Sequence, residues 1–174
     1  MLSLFDERRI QISGSRRRWG QGLIQIDAET ARFLASPVMI ILGTADSLGR
    51  PAIGRGLGCR FHTDGRMELA FSRWQWPRTA ADIAATGQLA ATWARPSDYV
   101  SYQLKGRAEL REAGPGERDA AQRYCSDVSG VLTGLGVAPE QVAHWLTTQD
   151  LVLARLTVTE AYIQTPGQRA GVAL

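Results

Sequence analysis

The sequence is short of most features that assign a function at a glance. Its longest uninterrupted apolar run is Val38-Met39-Ile40-Ile41-Leu42, against the roughly 20 residues a membrane-crossing helix needs. No bilayer-crossing helix is therefore expected. The N-terminus, Met1-Leu2-Ser3-Leu4-Phe5-Asp6-Glu7, turns acidic before it can form the apolar core of a secretion signal, so the expected location is the cytoplasm. Cysteine is scarce: Cys59 and Cys125 stand 66 positions apart, with no CxxC pair and no neighbouring histidine to complete a zinc set. Buried free thiols in a reducing compartment are the expectation. Histidine is equally scarce. His62 follows a strand beside a turn and His144 lies on a late amphipathic segment; neither has HExxH spacing, and no GxSxG elbow or P-loop occurs. Serine, cysteine and zinc hydrolases lose their main supports.

What is present is an ordinary globular composition, with 44% hydrophobic and 21% charged residues over a length of 174. A chain of that length buries roughly 70% of its unfolded surface, which fits one domain and excludes disordered or fibrous classes. The net charge is +3, and the segment 1–18 accounts for all of it through Arg8, Arg9, Arg16, Arg17 and Arg18 against Asp6 and Glu7. The remainder is neutral, so the domain-wide basic face of a nucleic-acid binder is absent. The arginine arm reads as a solvated or dimer-crossing segment, with no nucleic acid and no membrane among the expected partners.

Local signals set the element order. Asp27 caps a short helix over Ala28-Glu29-Thr30-Ala31-Arg32-Phe33-Leu34. Val38 to Ala45 is a strand, Asp46-Ser47-Leu48-Gly49 a hairpin loop, and a second strand returns over about Pro51 to Phe61. Thr63-Asp64-Gly65-Arg66 then marks a tight turn before the alternating strand Met67-Glu68-Leu69-Ala70-Phe71. Pro77 opens a helix that stops at Gly87, and Leu89–Ala94 is a further strand. The period of two from Ser101 to Leu110 marks a long strand with one wet face. From Pro115 to Thr147 the spacing is helical, broken over Gly130–Gly136 and reopened at Pro139, and Val152–Val158 restores a strand. The expected fold class is mainly β with peripheral helices: six mostly antiparallel strands in a small closed barrel.

Two stretches carry chemistry. Ser72-Arg73-Trp74-Gln75-Trp76-Pro77-Arg78-Thr79 runs from a strand into a helix start. The free N–H groups of a first helical turn attract phosphate, and an arginine forks two hydrogen bonds onto one. Ile53-Gly54-Arg55-Gly56-Leu57-Gly58 adds a second arginine among glycines, whose missing side chains let a flat ring approach the strand. Together they point to a phosphorylated aromatic cofactor. Competing readings stay open: Arg55 as a strand-surface arginine paired with Glu68, Arg78 as a solvated residue, Trp74 and Trp76 as core or dimer packing, and Tyr99 and Tyr102 as packing residues.

The order Arg55 with its glycines, Asp64-Gly65, Phe71-Ser72, Arg78 opening a helix, Leu89-Ala90-Ala91-Thr92-Trp93 and Leu104-Lys105-Gly106-Arg107-Ala108-Glu109-Leu110 resembles the pyridoxamine phosphate oxidase-like, FMN-binding split-barrel family. The likeness spans about residues 29 to 112. It implies a six-stranded antiparallel split barrel that forms a homodimer with FMN between subunits. By that likeness Arg55 and either Arg73 or Arg78 hold the phosphate with Phe71, Ser72 and Thr79 around it. Main-chain groups of Ile53, Gly54, Arg55, Gly56 and Leu57 border the isoalloxazine, and Ser101 or Tyr102 approaches from the partner. It further implies an oxidoreductase acting on a small molecule or a reduced nicotinamide, with a non-catalytic flavin-binding or stress-associated protein, or a deazaflavin- or haem-binding member of the fold, as alternatives. No histidine follows His144, so the vitamin pocket of the full oxidase is missing and its reaction is not carried over. The resulting division is an N-terminal arm at 1–26, one domain at 27–164 with the helical insert at about 115–147, and a tail at 165–174.

Overall fold

The computed structural model describes residue 24, residues 26–62 and residues 66–174. The arginine arm and the Thr63-Asp64-Gly65 turn expected from the sequence lie outside the described residues. Helix α1 (Ala28–Ala35) begins where expected, because the Asp27 carboxylate accepts the Thr30 N–H at 2.7 Å and satisfies an otherwise orphan donor. Strand β1 (Met39–Ala45) alternates buried and half-buried residues, and the Asp46 carboxylate ties the following turn by accepting from the Leu48 and Arg50 amides, both at 2.9 Å.

The expected strand from Pro51 to Phe61 is two strands, β2 (Pro51–Gly56) and β3 (Cys59–Phe61), so among the described residues the sheet has seven strands rather than six. Strands β4 (Arg66–Ser72), β5 (Gln88–Ala94), β6 (Ser101–Glu112) and β7 (Leu151–Ile163) complete it in the order β2-β1-β5-β6-β7-β4-β3. All neighbours are antiparallel. The two edge strands are therefore consecutive in the chain. The Leu57 N–H donates to the Ala70 carbonyl at 2.7 Å and the Ala70 N–H to the Gly58 carbonyl at 3.0 Å, which curls one edge of the sheet onto the other. Gly58 makes the passage with φ of +106°, a backbone that side chains disfavour.

Inside the curl lie Leu34, Val38, Ile40, Leu42, Met67, Leu69, Phe71, Trp93, Leu104 and Leu156, each 2% exposed or less. Helix α2 (Pro77–Thr86) adds Ala80 and Ile83 to this core, then ends on Gly87 in the left-handed conformation. The insert differs from expectation. Helix α3 (Pro115–Gly134) runs through Gly130 instead of breaking there, and α4 (Pro139–Ala143) is a single short turn. Val128 and Leu132 share one face and pack on Val142, so apolar burial outweighs the cost of about 1 kcal/mol for an interior glycine. Among the described residues no helix is long and apolar enough to cross a membrane.

Candidate functional site

Among the described residues strand β2 has a partner, β1, on one edge only, and its side chains alternate in environment. Gly54 and Gly56 face inward and are buried, while Ile53 is 68% exposed on the opposite face with Arg55 beside it in the alternation. The glycine side is not open to a flat ring, contrary to the expectation. A Cβ on Gly54 would stand 2.7 Å from Thr79 Oγ1, and one on Gly56 2.6 Å from Ile40 Cγ2. These glycines let α2 and β1 approach the strand closely, so a ligand is left the free edge of β2 and its Ile53–Arg55 face.

The Arg55 guanidinium lies 4.9 Å from the centroid of the Trp145 ring. It is half-buried, and burial presses its pKa below the usual arginine value although the group stays charged. Among the described residues no carboxylate pairs with it. The alternative pairing with Glu68 is excluded by what surrounds that carboxylate: Arg60 at 3.0 Å, Arg111 at 2.7 Å, His62 at 3.0 Å and Arg155 at 3.3 Å. Glu68 is 3% exposed, and these donors, Arg111 foremost, hold its pKa far below the usual carboxylate range.

The start of α2 is the second component. Its N-cap, Trp76, supplies no side-chain acceptor, Pro77 occupies the first turn without an N–H, and that turn holds no acidic residue. The positive end of the helix is thus left uncompensated, with the exposed Arg78 adding charge to it. Thr79 is 1% exposed, and its Oγ1 has no hydrogen-bond partner among the described residues. Because Thr79 packs against Gly54, the helix start and β2 are joined directly.

The neighbouring candidates have other work. Arg73 forks onto Asp150 at 2.9 and 2.7 Å and reaches Glu112 at 2.9 Å, and both carboxylates raise its pKa. Of the two arginines that the sequence left open, Arg78 is the one without a carboxylate among the described residues. The Ser72 hydroxyl donates to the Gln149 carbonyl at 2.6 Å and accepts the Gln75 N–H at 3.1 Å, so it fastens the turn between β4 and α2. Phe71 and Leu57 are core residues. Ser101 binds the tail through its main chain, its N–H donating to Thr165 Oγ1 at 3.0 Å and its carbonyl accepting from the Gln164 N–H at 2.8 Å. The Tyr102 ring meets Phe33 edge-on at 5.1 Å. Both lie on β6, with β1 and β5 between it and β2, so within one chain they are not gathered with Arg55.

Trp76 packs against the main core, whereas Trp74 is 60% exposed and lines a cleft of about 550 Å³ with Gln75, His144, Thr147 and Gln149. The thiols are poor nucleophiles: burial pushes the Cys59 pKa up to about 12 and that of Cys125 up to about 11. The contact of Trp145 with Arg55 is not announced in the sequence, where Trp145 reads only as an apolar position of a late helix. No local pattern announces a contact made from the far end of the insert. Among the described residues neither Arg55, on the outward face of β2, nor Arg78, at the exposed start of α2, has a carboxylate partner.

No protein-family model matches the chain, and no curated protein matches it. Solved structures do. HupZ of Group A Streptococcus is similar at 17% identity and a TM-score of 0.53, the match covering 84% of this chain and 100% of that one. A variant of the same streptococcal protein is similar at 16% identity and a TM-score of 0.52, over 80% and 99% of the two chains. HutZ, described as a haem storage protein of Vibrio cholerae, is similar at 16% identity and a TM-score of 0.48, over 80% and 95%. The likeness to HupZ is one of fold, a curled antiparallel sheet of the split-barrel kind.

Proposed function

We propose that the chain binds FMN along β2, with the phosphate on Arg55, Arg78 and the start of α2, and works as a homodimeric oxidoreductase on a small molecule or a reduced nicotinamide. The observations that carry the reading are two guanidinium groups, Arg55 and Arg78, with no carboxylate partner among the described residues, and the uncapped start of the helix that bears Arg78. Uncompensated positive charge is costly, and a phosphate offsets it with charge-assisted hydrogen bonds. The residues present therefore fit the phosphate of a flavin nucleotide.

The division of labour follows from the fit. Bound flavin supplies the electron-transfer chemistry, and the protein supplies orientation and electrostatics. Arg55 and Arg78 fix the phosphate end, and the unpaired edge of β2 offers main-chain groups to the ring. Dimer formation has its own support on the outward face of the sheet. Ile53, Gly43 and Ala90 stand in one row across β2, β1 and β5, and Arg55, Ile41 and Thr92 in the next, so Arg55 is the only charge in six positions. A second copy laid on that small, apolar face would enclose the cofactor edge and bring the partner's β6 toward it.

The test is the visible spectrum of the purified protein, followed by mass identification of whatever denaturation releases. Flavin bands and a mass of FMN support the reading, and reduction by NADH or NADPH with turnover to an acceptor supports the enzymatic half. A Soret band or a deazaflavin mass replaces FMN with another cofactor. A flavin that no donor reduces leaves a carrier rather than an enzyme.

A further inference from the structure

The helical insert does not stand apart from the anion site. Its last aromatic, Trp145, reaches β2 and lies under the Arg55 guanidinium at 4.9 Å. Two further contacts keep the insert in place. The Tyr124 hydroxyl of α3 donates to the Val38 carbonyl, and its ring packs 3.5 Å from the position a Cβ would take on Gly58. Trp145 itself sits against Val128, Leu132 and Val142, with Met39 and Tyr124 in the same cluster.

A guanidinium is planar, with a face that stacks on aromatic rings and an edge that carries all five N–H donors. An indole against one face leaves the edge unobstructed while removing many of the rotamers a free arginine samples. Arg55 has no carboxylate among the described residues to perform that service, so the ring is its only described fixture.

We propose that Trp145 is a positioning residue of the phosphate site: it holds Arg55 flat so that the guanidinium edge forks onto the ligand phosphate, which makes the insert after β6 part of the cofactor site. The inference rests on the flavin reading above and adds to it which element outside the barrel sets affinity. It also fixes the signature of the residue. Trp145 acts on the phosphate and not on the ring system, so its loss weakens ligands that carry a phosphate and leaves those without one unchanged.

The experiment titrates the full chain and its Trp145→Ala, Trp145→Phe, Arg55→Ala and Trp145→Ala/Arg55→Ala variants with FMN, with riboflavin and with inorganic phosphate. Flavin fluorescence follows the first two ligands, calorimetry the third, and melting temperatures confirm that each variant folds. Trp145→Ala is expected to weaken FMN about five- to tenfold and riboflavin by less than about twofold, while Trp145→Phe stays near the parent. In the Arg55→Ala background the tryptophan substitution has no further effect on FMN. Equal losses for FMN and riboflavin, an unchanged FMN affinity, or additive losses in the double variant overturn the proposal. Should Trp145→Ala fail to fold, Trp145→Gln carries the comparison, with the same selective loss of FMN over riboflavin expected. If the parent binds phosphate in a Trp145-dependent way and binds no flavin, the flavin reading fails and the positioning role stands.

Discussion

Replacing Arg55 and Arg78 separately by alanine separates the two halves of the proposed phosphate site, because the structure gives them unequal surroundings. Arg55 is half-buried over an aromatic ring, and Arg78 is exposed at a helix start. A hydrogen bond to a charged group contributes about 1.5–3 kcal/mol, with the lower end for solvent-screened groups. Arg55→Ala should therefore cost about 3 kcal/mol in FMN binding, a loss of roughly a hundredfold, and Arg78→Ala about 1 kcal/mol, or roughly fivefold. Screening gives an independent check: raising the salt should weaken the Arg78 contribution strongly and the Arg55 contribution little. Arg55→Lys keeps the charge and loses both the fork and the flat face, so it should behave closer to alanine than to arginine. The assay is flavin fluorescence quenching at two ionic strengths, with gel filtration to confirm the assembly state. Equal effects of the two substitutions, or full recovery by lysine, would falsify the argument that burial and stacking set the strength of the site.

Other outcomes follow from the surroundings of single residues. Arg73→Ala should leave FMN affinity unchanged and lower the melting temperature, because Arg73 ties Asp150 and Glu112 rather than a ligand. Gly54→Ala should destabilise the fold by about 1–3 kcal/mol in denaturant titrations and weaken FMN, since the new methyl meets Thr79 Oγ1 at 2.7 Å and pushes on the start of α2. Glu68 has a folded-state pKa well below its unfolded value, held there by Arg111 first, so its contribution is present above the unfolded pKa and is lost as pH falls. Melting temperatures measured from about pH 6 to pH 3 should drop more steeply for the parent than for Glu68→Gln, which is itself less stable by about 2–3 kcal/mol at neutral pH. Parallel melting curves in the two proteins would remove that network as a source of acid sensitivity.

Legibility of the fold in the sequence followed how local each cause is. The Asp27 cap, the Asp46 turn, and Pro77 with Gly87 at the two ends of α2 each act within a few residues, and each was readable. The break between β2 and β3 was not, since Pro51–Phe61 has strand composition throughout. The break exists because Leu57 and Gly58 leave β1 to meet Ala70 on the other edge of the sheet. The pairing of Arg73 with two carboxylates was unreadable for the same reason. Glu112 ends β6 and Asp150 precedes β7, and nothing near Arg73 in the chain foretells that both will reach it. The glycines around Arg55 were noticed correctly and explained wrongly: they admit Thr79 and Ile40, not a cofactor ring.

The most direct measurement of the central claim is a crystal structure grown with excess FMN. The account predicts density for a phosphate within hydrogen-bond distance of the Arg55 guanidinium, the Arg78 side chain and the first free N–H groups of α2, with Trp145 still against Arg55. Flavin held elsewhere on the molecule, or Arg55 and Arg78 turned toward the protein's own carboxylates with the helix start covered by side chains, would contradict it.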